Sequence, residues 1–263
     1  MNQTFVECEW YTPRFGGHLC LMKNDIISDT IRHRGEWVGC REHIETWRRH
    51  ATSENGLVVD VGANIGACTL QFVFQTTATV IAIEPYPKNL YHLRASIARS
   101  AKYVPSILKR ITVVPLAVGR AVENATQYSA LGNSGNSVIG KRVRDHREQD
   151  MSSEASIHVD TLDNVLADVE RVCFLKADVQ GFECNMMKGM RKTAPRITSM
   201  TIELANGWLR PQNCSPHKAL KLIRNMGFRT DSVPACVYSY FGCDLTVTRE
   251  RDDGTRRSLS RSV

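Results

Sequence analysis

Residues 57–66, Leu57-Val58-Val59-Asp60-Val61-Gly62-Ala63-Asn64-Ile65-Gly66, pass from a β-branched run directly into a glycine-bearing turn. The run predicts a buried strand. The turn predicts a helix beginning near Ile65, with Leu70, Phe72, Val73 and Phe74 as its apolar positions. Gly62 and Gly66 remove side chains at the tight turn and at the helix contact, while Asn64 tolerates left-handed backbone better than most residues. A strand, turn and helix in this order let a nucleotide-like cofactor approach the backbone closely.

The same alternation continues downstream. Thr79-Val80-Ile81-Ala82-Ile83-Glu84 predicts a second strand that stops at Pro85 and Pro87, and Leu90, Leu93 and Ile97 give the next helix (89–99) one apolar stripe. A third strand is expected over 111–118, closed by Gly119. The Gly- and Asn-rich stretch 124–140 reads as a β-hairpin or substrate loop and is a candidate lid. There follow a short helix (161–167), a strand (172–178), a helix (183–191) and a strand (197–204). A helix over 217–226 ends at Gly227, and residues 235–248 can form a closing antiparallel hairpin. The predicted fold class is therefore α/β, Rossmann-like, with a mostly parallel sheet flanked by helices. Residues 1–56 are expected to form a helical cap carrying Ile44 and Trp47 on one face, 57–248 the catalytic domain, and 249–263 a basic, disordered tail. No repeat of solenoid period is evident.

Glu84 ends the second strand at the interval expected of the carboxylate that receives ribose hydroxyls in a Rossmann-like unit. It would repel a 2′-phosphate. The loop lacks the Gly-x-Gly-x-x-Gly signature of dinucleotide enzymes, and the chain has no Gly-x-x-x-x-Gly-Lys-Ser/Thr phosphate loop, so a cofactor without a pyrophosphate is favoured. Asp60-Val61-Gly62-Ala63-Asn64-Ile65-Gly66, Thr161-Leu162-Asp163 and Leu175-Lys176-Ala177-Asp178-Val179-Gln180-Gly181-Phe182-Glu183 together resemble the FkbM family of methyltransferases over about residues 35–204. The family commonly has an acidic residue where Gln180 stands and isoleucine where Ala177 stands. The resemblance implies S-adenosylmethionine as cofactor. It also implies that Asp60, Gly62, Asn64 and Gly66 shape the methionine end, that Glu84 holds the ribose, and that Ala117 and Val118 lie near the adenine.

Asp178 ends the fourth strand, on the side where open α/β sheets collect ligands, so it is the first candidate for acceptor binding or proton removal; the alternative is a helix cap. Glu203, ending the fifth strand, is the second, with His158 and Lys176 behind it. Asp163 and Glu183 read as residues of helix N-termini, and no metal is expected. Methyl transfer from a sulfonium is a displacement in which alignment supplies much of the rate, so no strong base need be evident.

The implied activity is O-methylation of a small hydroxylated molecule or sugar. A net charge of +7, concentrated in 141–147 and 249–261, raises RNA methylation as an alternative, although no aromatic-basic platform is apparent. A cofactor-binding scaffold without catalysis is a third reading, and a dehydrogenase a fourth. No apolar run is long enough to span a bilayer, and residues 1–10 do not read as a signal peptide. The nine cysteines show no Cys-x-x-Cys spacing, which predicts reduced thiols in a cytoplasmic protein.

Overall fold

The computed structural model describes residues 7–50, 56–130, 133–141 and 151–249. A hairpin of β1 (Glu9–Tyr11) and β2 (Leu19–Leu21) precedes helices α1 (Ile26–Arg34) and α2 (Cys40–His50). The segment expected to be a helical cap thus carries two strands as well as helices. Local chemistry sets the limits of α1: Asp25 accepts the Ser28 N–H at its start, and the Gly35 N–H bonds the Ile31 carbonyl at its end.

The central unit then begins. It runs through β3 (Leu57–Val61), α3 (Ala67–Gln75), β4 (Thr79–Ile83), α4 (Pro87–Ala101) and β5 (Ile111–Val114). A second group follows, made of β6 (Ala117–Val118), β7 (Glu123–Ala130), β8 (Asn133–Ile139), β9 (Met151–Asp160) and α5 (Leu162–Val165). The chain returns through β10 (Val172–Ala177), α6 (Glu183–Lys188), β11 (Ile197–Leu204), α7 (Asn206–Leu209), α8 (Pro216–Asn225) and β12 (Cys243–Thr248). Proline at the first position of α4 and of α8 suits a place where the backbone N–H has no helical partner.

Six strands form one sheet in the order β12-β11-β10-β3-β4-β5, parallel except for β12. The antiparallel closure expected at the C-terminal end is this single strand beside β11; residues 235–238 are a 3-10 turn. Side chains alternate between the two faces, as the strand period requires. Val59, Leu175 and Ala177 pack with Met186 of α6 and Ile223 of α8. Val58, Val80 and Phe174 pack with Ile44 of α2, Phe72 of α3 and Leu93 of α4. Covered on both faces, the sheet exposes its functional chemistry only at strand ends. The order reverses between β3 and β10, and ligands of open α/β sheets bind at the carboxyl end of that switch point.

The strand expected over 111–118 is two strands in different sheets. β5 pairs with β4, while β6 joins a four-stranded sheet of order β6-β9-β7-β8. Pro115 lies at the break: it has no N–H to offer the ladder, and the Leu116 N–H closes a three-residue turn on the Val114 carbonyl at 3.1 Å. The Gly- and Asn-rich stretch forms the β7–β8 hairpin, as expected.

The cysteines correct the expectation of free thiols. Disulfides join Cys8 to Cys20, Cys40 to Cys68, Cys184 to Cys214 and Cys236 to Cys243, leaving Cys173 buried and unpaired. Their Cα separations of 4.8, 5.1, 6.2 and 5.7 Å suit such bonds. The tail predicted from Arg249 lies outside the described residues from 250 onward, as does most of the basic segment 141–147. Arg249 itself belongs to the fold: its guanidinium donates to the carbonyls of Ala194 and Ile197 and sits 4.5 Å above the Phe228 ring.

Candidate active site

The ends of β3, β4 and β10 are stitched into one rim. The Gly62 and Ala63 N–H groups donate to the Ile83 carbonyl at 2.9 and 3.1 Å, and the Asp178 N–H donates to the Val61 carbonyl at 3.0 Å. Gly62 has φ +79°, and a Cβ there would stand 1.9 Å from the Asp178 carbonyl oxygen, so only glycine lets the two strand ends meet. Gly66, at φ +87°, starts α3 against Leu93 and does not line a cavity.

Above this rim lies a cleft of about 520 Å3 lined by Gly62, Asn64, Glu84, Ala117, Val118 and Asp178 among others. Both Glu84 oxygens are engaged. Oε2 accepts the Asn64 N–H at 2.8 Å; Oε1 accepts the Tyr86 N–H at 2.9 Å and the Asn89 side-chain amide at 3.3 Å. Burial pushes the Glu84 carboxyl up to about 7, although these three donors and Lys176 pull the other way. Three of the carboxylate's roughly four lone-pair sites are thus used, and Oε2 retains one for a hydroxyl.

The hairpin covers this cleft. Gln127 of β7 and Gly135, Ser137 and Ile139 of β8 line it, and Gly135 packs so closely on Ile27 of α1 that a Cβ would stand 2.6 Å from it. The side-chain oxygen of Gln127 is buried and has no hydrogen-bond partner.

A second hollow of about 810 Å3 adjoins the first and is lined by Trp37, Asp60, Lys176, Asp178, Gln180 and Glu203, with others. The two hollows share Gly62, Asn64, Gly135, Asp178 and Gln180. Asp60 belongs to the second only. Its carboxylate accepts the Thr69 hydroxyl at 2.6 Å and faces Lys176 Nζ at 3.2 Å, which ties β3 to α3 and β10. Burial disfavours the Lys176 charge, but Asp60 and Asp178 outweigh it, so the ammonium is held more firmly than usual. Nearby His43 is driven down to about 4 by burial and by Lys176, and is neutral at physiological pH.

Asp178 and Glu203 meet through a third residue. The Gln180 amide donates to Asp178 Oδ1 at 2.7 Å and to Glu203 Oε2 at 2.8 Å, from a backbone held at φ 49°. Burial, then repulsion from Asp178 and Glu183, raises the Glu203 carboxyl well above the usual range. The helix cap considered for Asp178 does not form, since α6 begins after Phe182 without a side-chain cap; Glu183 accepts the N–H groups of Val179 and Gly181, in the turn before the helix, at 3.3 and 3.1 Å. Burial pushes Glu183 up to about 7.

The remaining candidates lie elsewhere. Asp163 accepts the N–H groups of Lys192 and Thr193, and exposed His158 faces Asn124. Sequence reasoning missed Asn89, Gln127, Trp37 and the 133–137 strand; only the hairpin's glycine and asparagine content pointed toward the last. Cys8, Cys20 and His92 lie within 4.8 Å of one another, but the first two share a disulfide and offer no thiolate.

A parallel sheet reversing between β3 and β10, with an acidic residue ending β4 and a glycine loop ending β3, defines a Rossmann-like nucleoside-binding site. The sequence matches the family described as the methyltransferase FkbM domain over residues 60–230, more than half of the chain, and the protein belongs to that family. Its cofactor is accordingly S-adenosylmethionine. No curated protein matches the sequence. Similar solved structures include a methyltransferase FkbM from Methylobacillus flagellatus KT, with TM-score 0.46 and 18% identity over 74% of this chain and 44% of that one. The chain therefore spans less than half of that protein. A precorrin-6y C5,15-methyltransferase from Geobacter metallireducens GS-15 gives TM-score 0.43 and 10% identity over 80% and 89%. Aeropyrum pernix fibrillarin, solved with natively bound S-adenosyl-L-methionine, gives 0.42 and 10% over 78% and 74%.

The residues present fit this cofactor. Glu84 keeps an acceptor site on Oε2 for a ribose hydroxyl, the buried Gln127 oxygen lacks a donor of the kind an adenine amine provides, and Gly62 leaves open the ground a Cβ would fill. A pH dependence follows. Ribose hydroxyls favour the ionised Glu84, whereas burial in the free protein favours the protonated one. Affinity for S-adenosylmethionine should therefore rise as pH increases from about 6 to about 8, through the Glu84 value near 7, and then level off. In the free protein the sign is reversed: a carboxyl raised from 4.5 to about 7 makes the fold less stable as pH climbs through that window. Calorimetric titrations across the range check the first statement and thermal melts the second; a flat affinity profile would remove Glu84 from the ribose site.

Proposed function

We infer that the protein transfers the methyl group of S-adenosylmethionine to a hydroxyl oxygen of an acceptor bound in the second hollow. The observation that carries this reading is the Asp178–Gln180–Glu203 group, standing where the two hollows join. The cofactor, when bound, supplies an electrophilic methyl on a sulfonium sulfur. Burial, and after it the acidic neighbours, favour the protonated form of Glu203, which is the form that can donate to the acceptor, while Asp178 offers an oxygen to receive the hydroxyl proton. Gln180 fixes both carboxyl groups, and Trp37 helps wall the hollow.

Amino methylation is less well served, because Asp178-Val179-Gln180-Gly181 stands where an Asn/Asp-Pro-Pro-Tyr/Phe segment would be expected. An RNA acceptor is disfavoured as well: among the described residues the only cation lining either hollow, Lys176, is buried and paired with Asp60. Isotopically labelled cofactor, incubated with small-molecule, glycan, lipid and RNA fractions, tests the reading. Label should enter an alkali-stable ether of a non-RNA fraction; incorporation into RNA or into an amine would overturn it.

We further propose an oxidising compartment in place of the cytoplasm expected from free thiols. Four disulfides in one fold are uncommon where glutathione keeps cysteines reduced. None of the described helices is long and apolar enough to cross a membrane. Denatured without reductant, the protein should expose one titratable thiol, from Cys173, against nine after reduction. Nine without reductant would return it to the cytoplasm.

A further inference from the structure

A third hollow, of about 380 Å3, opens beside Glu203 and is lined by Asn136, Gln180, Glu203, Trp208, Tyr240 and Phe241, together with Gly207. It shares Asn136, Gln180 and Glu203 with the second hollow, so one path leads from the Asp178 and Glu203 carboxyls to an aromatic wall. Tyr240 and Phe241 are 55% and 70% exposed, an unfavourable placement for large apolar rings unless something covers them.

These rings are nevertheless held in place. Cys236 and Cys243 close the loop that bears them, and the Tyr240 carbonyl accepts the Gly207 N–H at 3.0 Å. The Tyr240 ring lies on Gly207, where a Cβ would stand 2.8 Å from it, and meets Phe241 edge to face at 5.4 Å. The loop falls beyond residues 60–230, which carry the family match, so Tyr240 and Phe241 lie outside the matched region while Trp208 lies within it.

The chemistry of the lining narrows the occupant. Flat aromatic faces suit the C–H face of a ring, while Asn136, Gln180 and Glu203 suit hydroxyl groups around its edge. Among the described residues no Lys or Arg lines the hollow, so none of them offers a phosphate a partner. The exposure of Phe241 leaves the outer end open to a longer chain. We propose that this hollow is an acceptor subsite for a pyranose ring of an unphosphorylated glycan, placing a hydroxyl of that ring or its neighbour toward Asp178 and Glu203. The proposal rests on the methyltransferase reading and adds the acceptor class and the residues that select it.

Saturation-transfer NMR on the full chain, loaded with S-adenosylhomocysteine, provides the test. The probes are methyl glycosides of galactose, mannose, fucose and glucose and their β-linked disaccharides, with catechol and an RNA hexamer as competing classes. Ring C–H signals of at least one glycoside should receive saturation. Phe241→Ala and Tyr240→Ala, both at exposed positions, should weaken that glycoside at least fivefold while leaving S-adenosylhomocysteine affinity within twofold. Silent glycosides with the cofactor product bound overturn the subsite alone, as does glycoside binding indifferent to both substitutions or transfer to catechol or RNA only. Silence of S-adenosylhomocysteine as well, by calorimetry on the same sample, overturns the methyltransferase reading with it.

Discussion

Asp178→Asn is expected to lower kcat by about 100-fold or more while leaving the dissociation constant for S-adenosylmethionine within about threefold, the range for loss of a positioned proton acceptor. The substitution preserves shape, and the backbone bond from Asp178 to Val61 is untouched. What changes is the side chain between Gln180 and the acceptor: a carboxylate able to receive a proton becomes an amide that cannot. Glu203 does not take over easily, because burial and its acidic neighbours disfavour its ionised form. Single-turnover rates with saturating acceptor, paired with calorimetry, separate the two parameters. An unchanged kcat would assign the proton to solvent and leave Asp178 with positioning only.

Glu84→Ala should act on the other parameter, weakening S-adenosylmethionine by about 100-fold. A charge-assisted hydroxyl bond of about 1.5–3 kcal/mol is lost, the upper end of which corresponds to that factor. The same change leaves the N–H groups of Asn64 and Tyr86 without their acceptor, so part of the loss comes from a loosened loop. Glu84→Gln separates the contributions: it retains one carbonyl oxygen for the loop and should cost about tenfold with little change in Tm. Equal affinity in wild type and Glu84→Ala would remove the carboxylate from the cofactor site.

The parts of the fold legible in the sequence were those governed by local period and turn chemistry. The runs 57–61, 79–83 and 197–204 are strands because β-branched and apolar residues continue through both buried faces, and the first breaks where Gly62 does. Glu84 was read from its place at a strand end and Ala117 and Val118 from the family resemblance, and all three line the first hollow. The failures involve partners distant in the chain. Ile111 to Val118 reads as one strand until Pro115 is seen to send its two halves into different sheets. The disulfide spacings of 12, 28, 30 and 7 residues follow no local rule; each is set by which elements the fold brings together, as when α2 meets α3 through Cys40 and Cys68. Asp60 and Gly66 fit the cofactor motif in sequence, but Asp60 is committed to Thr69 and Lys176, and Gly66 to packing on Leu93. Gln127 and Asn89 carried no signal, since a lone amide in a strand or a helix declares nothing until a cleft forms beside it.

The β7–β8 hairpin explains why the cofactor loop and the acceptor hollows belong to one site. It closes over Asn64 through Gly135, contributes Gln127 and Ser137 to the first hollow, and extends Asn136 into the second and third. A Cβ at Gly135 would press on Ile27 of α1 at 2.6 Å while meeting Asn64 only at ordinary contact distance.

Isothermal calorimetry of the disulfide-intact protein with S-adenosylmethionine and with its demethylated product, at about pH 8, bears most directly on the account. It predicts saturable binding of both at one site per chain, strongly weakened by Glu84→Ala. Absence of measurable heat for either compound at millimolar concentration, in protein that melts cooperatively, would contradict it.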